Sequence, residues 1–229
     1  MTASPHPLFL GASLEMTGKD TPALKGTSLA PGTRVNVTHL ATEDLATRVT
    51  AVRAVRDLGL TPVPHLSARR LRSAQELDET LAALGTEDVF VVAGDPATPH
   101  GPYADALAVI RSGLLERHGV RHVGIAGYPE GHPAIDTPAL WSALEAKAAA
   151  LEEQGLTGSV ITQFGFAVDP VLTWLEETRR RGVTLPVRIG VPGPAGVRRL
   201  LSYARRFGVT TSAGIARKYG FSLTQLMGT

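Results

Sequence analysis

Polar side chains of chemically useful types recur where a short apolar run stops: Glu15, Thr38, His65, Asp95, the run from Tyr128 to His132, and Gln163. Glu15 stands between Leu14 and Met16. A carboxyl stripped of water there has a raised pKa, and one still protonated near neutrality can act as a general acid. A surface glutamate at a loop start has the same local sequence. Asp95 follows Gly94, whose missing side chain lets backbone approach a ligand, although Gly-Asp-Pro is also an ordinary turn. Tyr128-Pro-Glu-Gly-His132-Pro133 places an aromatic, a carboxylate and an imidazole between two stiffening prolines. His132 capping a helix end is the plainer reading. The Gln163 amide, with two donors and an acceptor, suits the edge of a heterocycle or its own neighbouring backbone. The stretch Gly190 to Arg199 has the composition of a phosphate-binding loop or of a simple turn. His39, His65, His132, Glu15 and Asp95 include metal-ligand types without paired spacing, so no metal site is expected.

The elements that must position these groups are short. Leu8 to Leu14, Val35 to Val37, Pro62 to Leu66, Val89 to Ala93, Val123 to Ala126, Val160 to Ile161 and Val187 to Val191 are rich in Val and Ile and too short for helices. They read as buried parallel strands. Ser73 with Glu76 predicts a capping box, and Thr137-Pro138 and Asp169-Pro170 predict an N-cap followed by proline. Gly59, Gly85, Gly119, Gly155, Gly182 and Gly208 fall where left-handed C-caps end helices. The repeat is one βα unit throughout, which favours a (β/α)8 TIM-type barrel over an open doubly wound sheet. In such barrels the C-terminal ends of the strands hold the active site, so the polar residues are expected to converge there. Seven units are visible, and Thr210 to Thr229 provide no eighth strand. The expectation is one barrel domain over residues 1–229, C-terminally truncated or unusually closed.

Bulk properties narrow the function. Lys and Arg total 23 against 21 Asp and Glu, with no block of like charge, so a nucleic-acid groove is not expected. With no cysteine there is no disulfide, thiolate metal site or Cys nucleophile. No apolar run approaches the roughly 20 residues of a transmembrane helix, and no leader pattern opens the chain, so a cytoplasmic protein is expected. A homo-oligomer is compatible with this composition.

Taken in order, Ser-Leu-Glu15-Met, Val-Asn-Val-Thr38-His, Pro-His65-Leu, Ala-Gly94-Asp95-Pro, Gly-Tyr128-Pro-Glu-Gly-His132-Pro and Ile-Thr-Gln163-Phe resemble the methylenetetrahydrofolate reductase family from about Leu8 to Val191. The resemblance implies a barrel carrying FAD that reduces 5,10-methylenetetrahydrofolate to 5-methyltetrahydrofolate with NADH or NADPH. It assigns Glu15 as the acid that helps open the folate's five-membered ring, and Asp95 as a carboxylate near flavin and pterin. It assigns Gln163 to the pterin, and Thr38, His65, Gly94, Tyr128 and His132 to the flavin. Two departures stand out. Ala93 occupies the place of the family's arginine before Gly-Asp, and Ala139 to Lys147 replaces a polar and basic flavin-holding run of which only Lys147 matches. The family's substrate-stacking aromatic falls near Gly196. Alternatives are a flavin-independent reductase with direct hydride transfer and a non-catalytic folate-binding paralogue. A phosphate-binding lyase ranks last, for want of a Schiff-base lysine at a strand end.

Overall fold

The computed structural model describes residues 11–165 and 167–193. Seven parallel strands pair in sequence order: β1 (Leu14–Met16), β2 (Arg34–Val37), β3 (Thr61–Ser67), β4 (Asp88–Val92), β5 (His122–Gly127), β6 (Thr157–Thr162) and β7 (Val187–Arg188). Helices fill the connections: α1 (Thr21–Leu24), α2 (Leu45–Asp57), α3 (Ala74–Leu84), α4 (Ala106–Ile110), α5 (Leu114–Arg117), α6 (Thr137–Glu153) and α7 (Val168–Arg180). Consecutive parallel pairing with helical crossovers is the (β/α) barrel order. The end of the first sequence-predicted strand falls in β1, and its start lies outside the described residues. So do Gly196, Gly208, the last residues of the Gly190 to Arg199 loop, and the Thr210 to Thr229 stretch that bears on an eighth strand.

The chain divides into two compact units, residues 1–125 with 147–159, and residues 126–146 with 160–229. In the first, Val35, Val37, Val63, Leu66, Val89, Val91, Val123 and Ile125 are buried in strands that are covered on both faces. Each such side chain contributes roughly 1.5–3 kcal/mol on leaving water. Helix α2 lays Arg48, Ala51, Val52 and Val55 inward, the spacing of one helical face, and packs on β2 and β3. The Asp44 carboxylate caps it by accepting the Thr47 N–H at 2.8 Å. In the second unit, β6 pairs with β7 through Val160 and Ile161, and α7 buries Val171, Trp174 and Thr178. A Cβ on Gly127 would stand 2.7 Å from Val160 and 2.8 Å from the Trp174 ring, so only glycine lets α7 close on this strand end.

Three helix starts differ from the sequence expectation. Ser73 does accept the Glu76 N–H at 3.0 Å, but the Glu76 carboxylate reaches back to the Arg72 N–H at 2.7 Å, one residue before the cap. Asp136, not Thr137, caps α6 by accepting the Ala139 N–H at 2.8 Å. Helix α7 begins at Val168, which puts Asp169 inside the first turn, where its charge favours the helix dipole. The glycine stops hold: Gly59, Gly85, Gly119, Gly155 and Gly182 all have positive φ.

Candidate functional site

In the first unit the strand ends bring acidic, basic and imidazole groups together. Glu15 is the middle residue of β1, and its Oε2 lies 4.0 Å from His65 Nε2 on β3. The Glu15 side chain keeps 59 % of its surface open, yet the protein around it removes enough water to raise its pKa. His65 is buried, stacks edge-on against Phe90 at 4.6 Å, and has no hydrogen-bond partner for Nε2. Burial, then the positive charge of Arg48, then His39 hold its pKa at about 3. The pair therefore consists of an imidazole that burial and neighbouring charge keep neutral and a carboxyl whose pKa desolvation raises above the ordinary carboxylate value.

Around this pair lie residues that motif reasoning passed over. Arg48 donates from Nη2 to the His65 carbonyl, while its Nε has no partner. Burial lowers its pKa to about 10 against the opposing pull of Glu43. Both carboxylate oxygens of the buried Glu43 lack hydrogen bonds. Gly18 leaves room for that carboxylate, since a Cβ there would stand 3.1 Å from its Oε1. Asn36 donates to the Leu14 carbonyl at 3.2 Å and keeps a buried, unpartnered Oδ1. His39, next to Thr38, has a buried Nδ1 without a partner and a pKa lowered to about 3 by burial, Arg48 and Arg70. A usable signal for these was polar residues inside apolar stripes: Asn36 between Val35 and Val37, and Arg48 on the Ala51, Val52, Val55 face.

Thr38 donates its hydroxyl and its N–H to the Met16 carbonyl, at 3.1 and 2.9 Å, which pins the end of β2 to β1 and leaves the hydroxyl lone pairs for a ligand donor. Gly94 has φ +91, and a Cβ there would meet Ser67 at 3.1 Å. Asp95 follows with its carboxylate 83 % exposed and Arg70 Nη2 at 3.4 Å. The cation at Asp95 is thus Arg70, which arrives from the turn after β3. Arg69 steadies the same loop, donating to the carbonyls of Ala104 at 2.8 Å and Pro96 at 3.3 Å. Lys147 is buried on α6, with its pKa lowered to about 8 by burial against the opposing pull of Asp105.

The second unit holds its groups through local backbone. Tyr128 follows β5, and its ring meets that of His132 edge-on at 5.2 Å. Burial raises the Tyr128 pKa and lowers that of His132. His132 Nδ1 accepts the Ala134 N–H at 3.2 Å, so in the neutral ring the proton sits on Nε2, which is left as a donor. Gln163 Oε1 accepts the Phe164 N–H at 3.0 Å, which aims the amide NH2 as the available donor. Its own N–H donates to the Gly127 carbonyl at 2.8 Å. Glu130 packs against Gly165, where a Cβ would stand 2.5 Å from Oε1.

A flavin makes two demands, a polar heterocycle edge and a diphosphate. The unpartnered atoms of Asn36, His39 and His65 suit a polar ring edge. The diphosphate is not matched on α6, where residues 137–146 contain no Lys or Arg and Lys147 is buried beside Asp105's field. Among the described residues no group of three or more His, Asp or Glu is placed to hold a metal ion, and no helix is long and apolar enough to cross a membrane.

The family model described as methylenetetrahydrofolate reductase matches residues 24–212. Methylenetetrahydrofolate reductase 2 of Saccharomyces cerevisiae is 26 % identical over 181 residues, covering 74 % of this chain and 28 % of the yeast protein. The chain thus spans less than a third of that relative's length. Among solved structures, dihydropteroate synthase from Thermus thermophilus is 19 % identical with a TM-score of 0.47, over 88 % of this chain and 76 % of that one. D-Hydantoinase from Thermus sp. is 15 % identical with a TM-score of 0.39, over 75 % and 40 %. Neither structural likeness bears on chemistry.

Proposed function

Because the chain belongs to the methylenetetrahydrofolate reductase family, we propose that it reduces 5,10-methylenetetrahydrofolate to 5-methyltetrahydrofolate at the expense of NADH or NADPH. The observation that carries this reading is the Glu15 and His65 pair, a carboxyl with a raised pKa facing an imidazole that stays neutral. The reaction needs a proton before it needs a hydride. Protonation at N10 opens the imidazolidine ring to the N5 iminium, and hydride addition to the exocyclic carbon then gives the methyl group and NAD(P)+. Glu15 supplies the proton, because desolvation raises its pKa in the direction that a general acid needs.

Gln163 reads the pterin with the amide NH2 that its own backbone contact leaves free. Asp95 adds a fixed negative charge, steadied by Arg70, that favours the developing cation. Thr38, His65, Gly94, Tyr128 and His132 are the residues that would hold FAD, and Lys147, buried as it is, would act on it through charge. Bound FAD would relay the hydride from nicotinamide to folate. A second reading, direct hydride transfer from nicotinamide, is favoured by the absence of Lys and Arg from residues 137–146 of α6.

Anaerobic absorption spectroscopy tests both readings in one cuvette, with FAD, NAD(P)H and methylenetetrahydrofolate added in turn. Flavin bands that bleach with nicotinamide and return with folate support the relay. Nicotinamide oxidation coupled to folate without any flavin band supports direct transfer. Folate binding with no nicotinamide consumed by either route contradicts the reductase.

A further inference from the structure

Arg48 occupies a position that a cation does not take cheaply. It lies on the inward face of α2 with Ala51, Val52 and Val55, is buried, and spends one N–H on the His65 carbonyl while its Nε has no acceptor. One main-chain hydrogen bond is a poor return for removing a guanidinium from water. The groups that face His65 are Glu15 from β1, Arg48 from α2, His39 from beyond β2 and the Phe90 ring from β4. The Glu15 and His65 pair can hold its proton in two ways: on the carboxyl beside a neutral ring, or on the ring beside a carboxylate. Carboxylates and imidazoles at this separation commonly prefer the second, and a fixed cation beside the ring disfavours it.

Resting on the reading of Glu15 as the proton donor, we propose that Arg48 is a positioning residue of this pair: its buried guanidinium, held on the His65 carbonyl, keeps the imidazole neutral and the proton on Glu15. The electrostatics agree in direction. Burial and then Arg48 lower the His65 pKa, while burial raises that of Glu15. His39 is itself held neutral by burial, Arg48 and Arg70 against Glu76, so it adds no competing proton. Glu43 faces Arg48 and stabilises its charge. The cost of burying Arg48 is thereby tied to a proton location rather than to packing.

The test reads the imidazole itself, so it stands whether or not the protein turns over folate. In protein labelled with nitrogen-15 in its histidines, with His65 assigned through His65→Asn, the wild-type ring stays neutral down to pH about 5. In Arg48→Met its midpoint, about 3 in the wild type, rises by about one pH unit or more, and Arg48→Lys, which keeps the charge, returns it. If the single exchange does not fold, Glu43→Gln with Arg48→Met withdraws both facing charges and carries the same expectation. A wild-type His65 that titrates near the ordinary 6.5 overturns the proposal, as does a midpoint unmoved by losing Arg48.

Discussion

The group around Glu15 and the group around Gln163 use opposite means to make a side chain reactive. In the first unit desolvation sets Glu15, desolvation and neighbouring charge set His65, His39 and Arg48, and buried atoms of His65, His39, Arg48, Asn36 and Glu43 go without hydrogen bonds. In the second, Gln163 and His132 each spend one atom on a nearby backbone N–H, which leaves a donor of defined identity. Unmet polar atoms in a low-dielectric setting hold protonation states away from their values in water. Satisfied ones hold geometry. The first arrangement suits proton transfer and the second suits recognition, so substitutions in the two should separate in kinetics.

The largest effect should come from Glu15→Gln, which keeps shape and loses the proton. Folate turnover should drop by about 10²–10⁴ with substrate affinity little changed, measured as kcat and KM separately. The same substitution should remove the alkaline limb of the pH profile, because activity in the parent falls as pH rises through the raised Glu15 pKa.

Next is acid sensitivity. His65 and His39 have folded pKa values of about 3 against an ordinary 6.5, so below pH 6.5 the unfolded chain takes up protons that the folded chain refuses. Stability is then lost as pH falls, by up to about 1.4 kcal/mol per pH unit for each histidine. Urea unfolding between pH 7.5 and 5 measures this slope, and His65→Asn should flatten it; a pH-independent midpoint would show that the rings are not neutral in the fold.

In the second unit the changes should be smaller and of another kind. Gly165→Ala forces a carbon to within 2.5 Å of Glu130 Oε1, which should cost about 1–3 kcal/mol of stability or displace the loop after Tyr128. Thermal unfolding alongside KM decides between these. Gln163→Ala should raise KM for folate about tenfold, the worth of one hydrogen bond to a buried group, with kcat nearly kept. If kcat falls instead, Gln163 belongs with the proton chemistry and the contrast between the groups fails. Smallest of all should be Arg70→Met, since the pair with the exposed Asp95 is worth about 1 kcal/mol or less. A change in KM that vanishes at high salt would fit.

Much of the fold was legible because it is written locally. Val and Ile runs mark buried strands, and Gly85 or Gly155 marks a helix end because each needs positive φ there. The helix starts were less legible, as neighbouring residues compete for one cap: Asp136 and Thr137 both have suitable oxygens, and only the chain path selects Asp136. The pairings that set the first group were hidden for a different reason. Arg48 is one of several arginines in helical stretches, and sequence alone does not show that its side chain reaches the His65 carbonyl on another element. Arg70, likewise, lies 25 residues before the Asp95 it pairs with. Motif matching found the residues that meet substrate in the proposal and missed those that tune them.

The most direct test is product analysis by mass spectrometry, after incubation of wild type and Glu15→Gln with methylenetetrahydrofolate and NADH or NADPH, each with and without FAD. The account predicts 5-methyltetrahydrofolate from the wild type and a near-complete loss of it in Glu15→Gln. No product from the wild type under any of these conditions would contradict the reductase, and undiminished product from Glu15→Gln would contradict the acid.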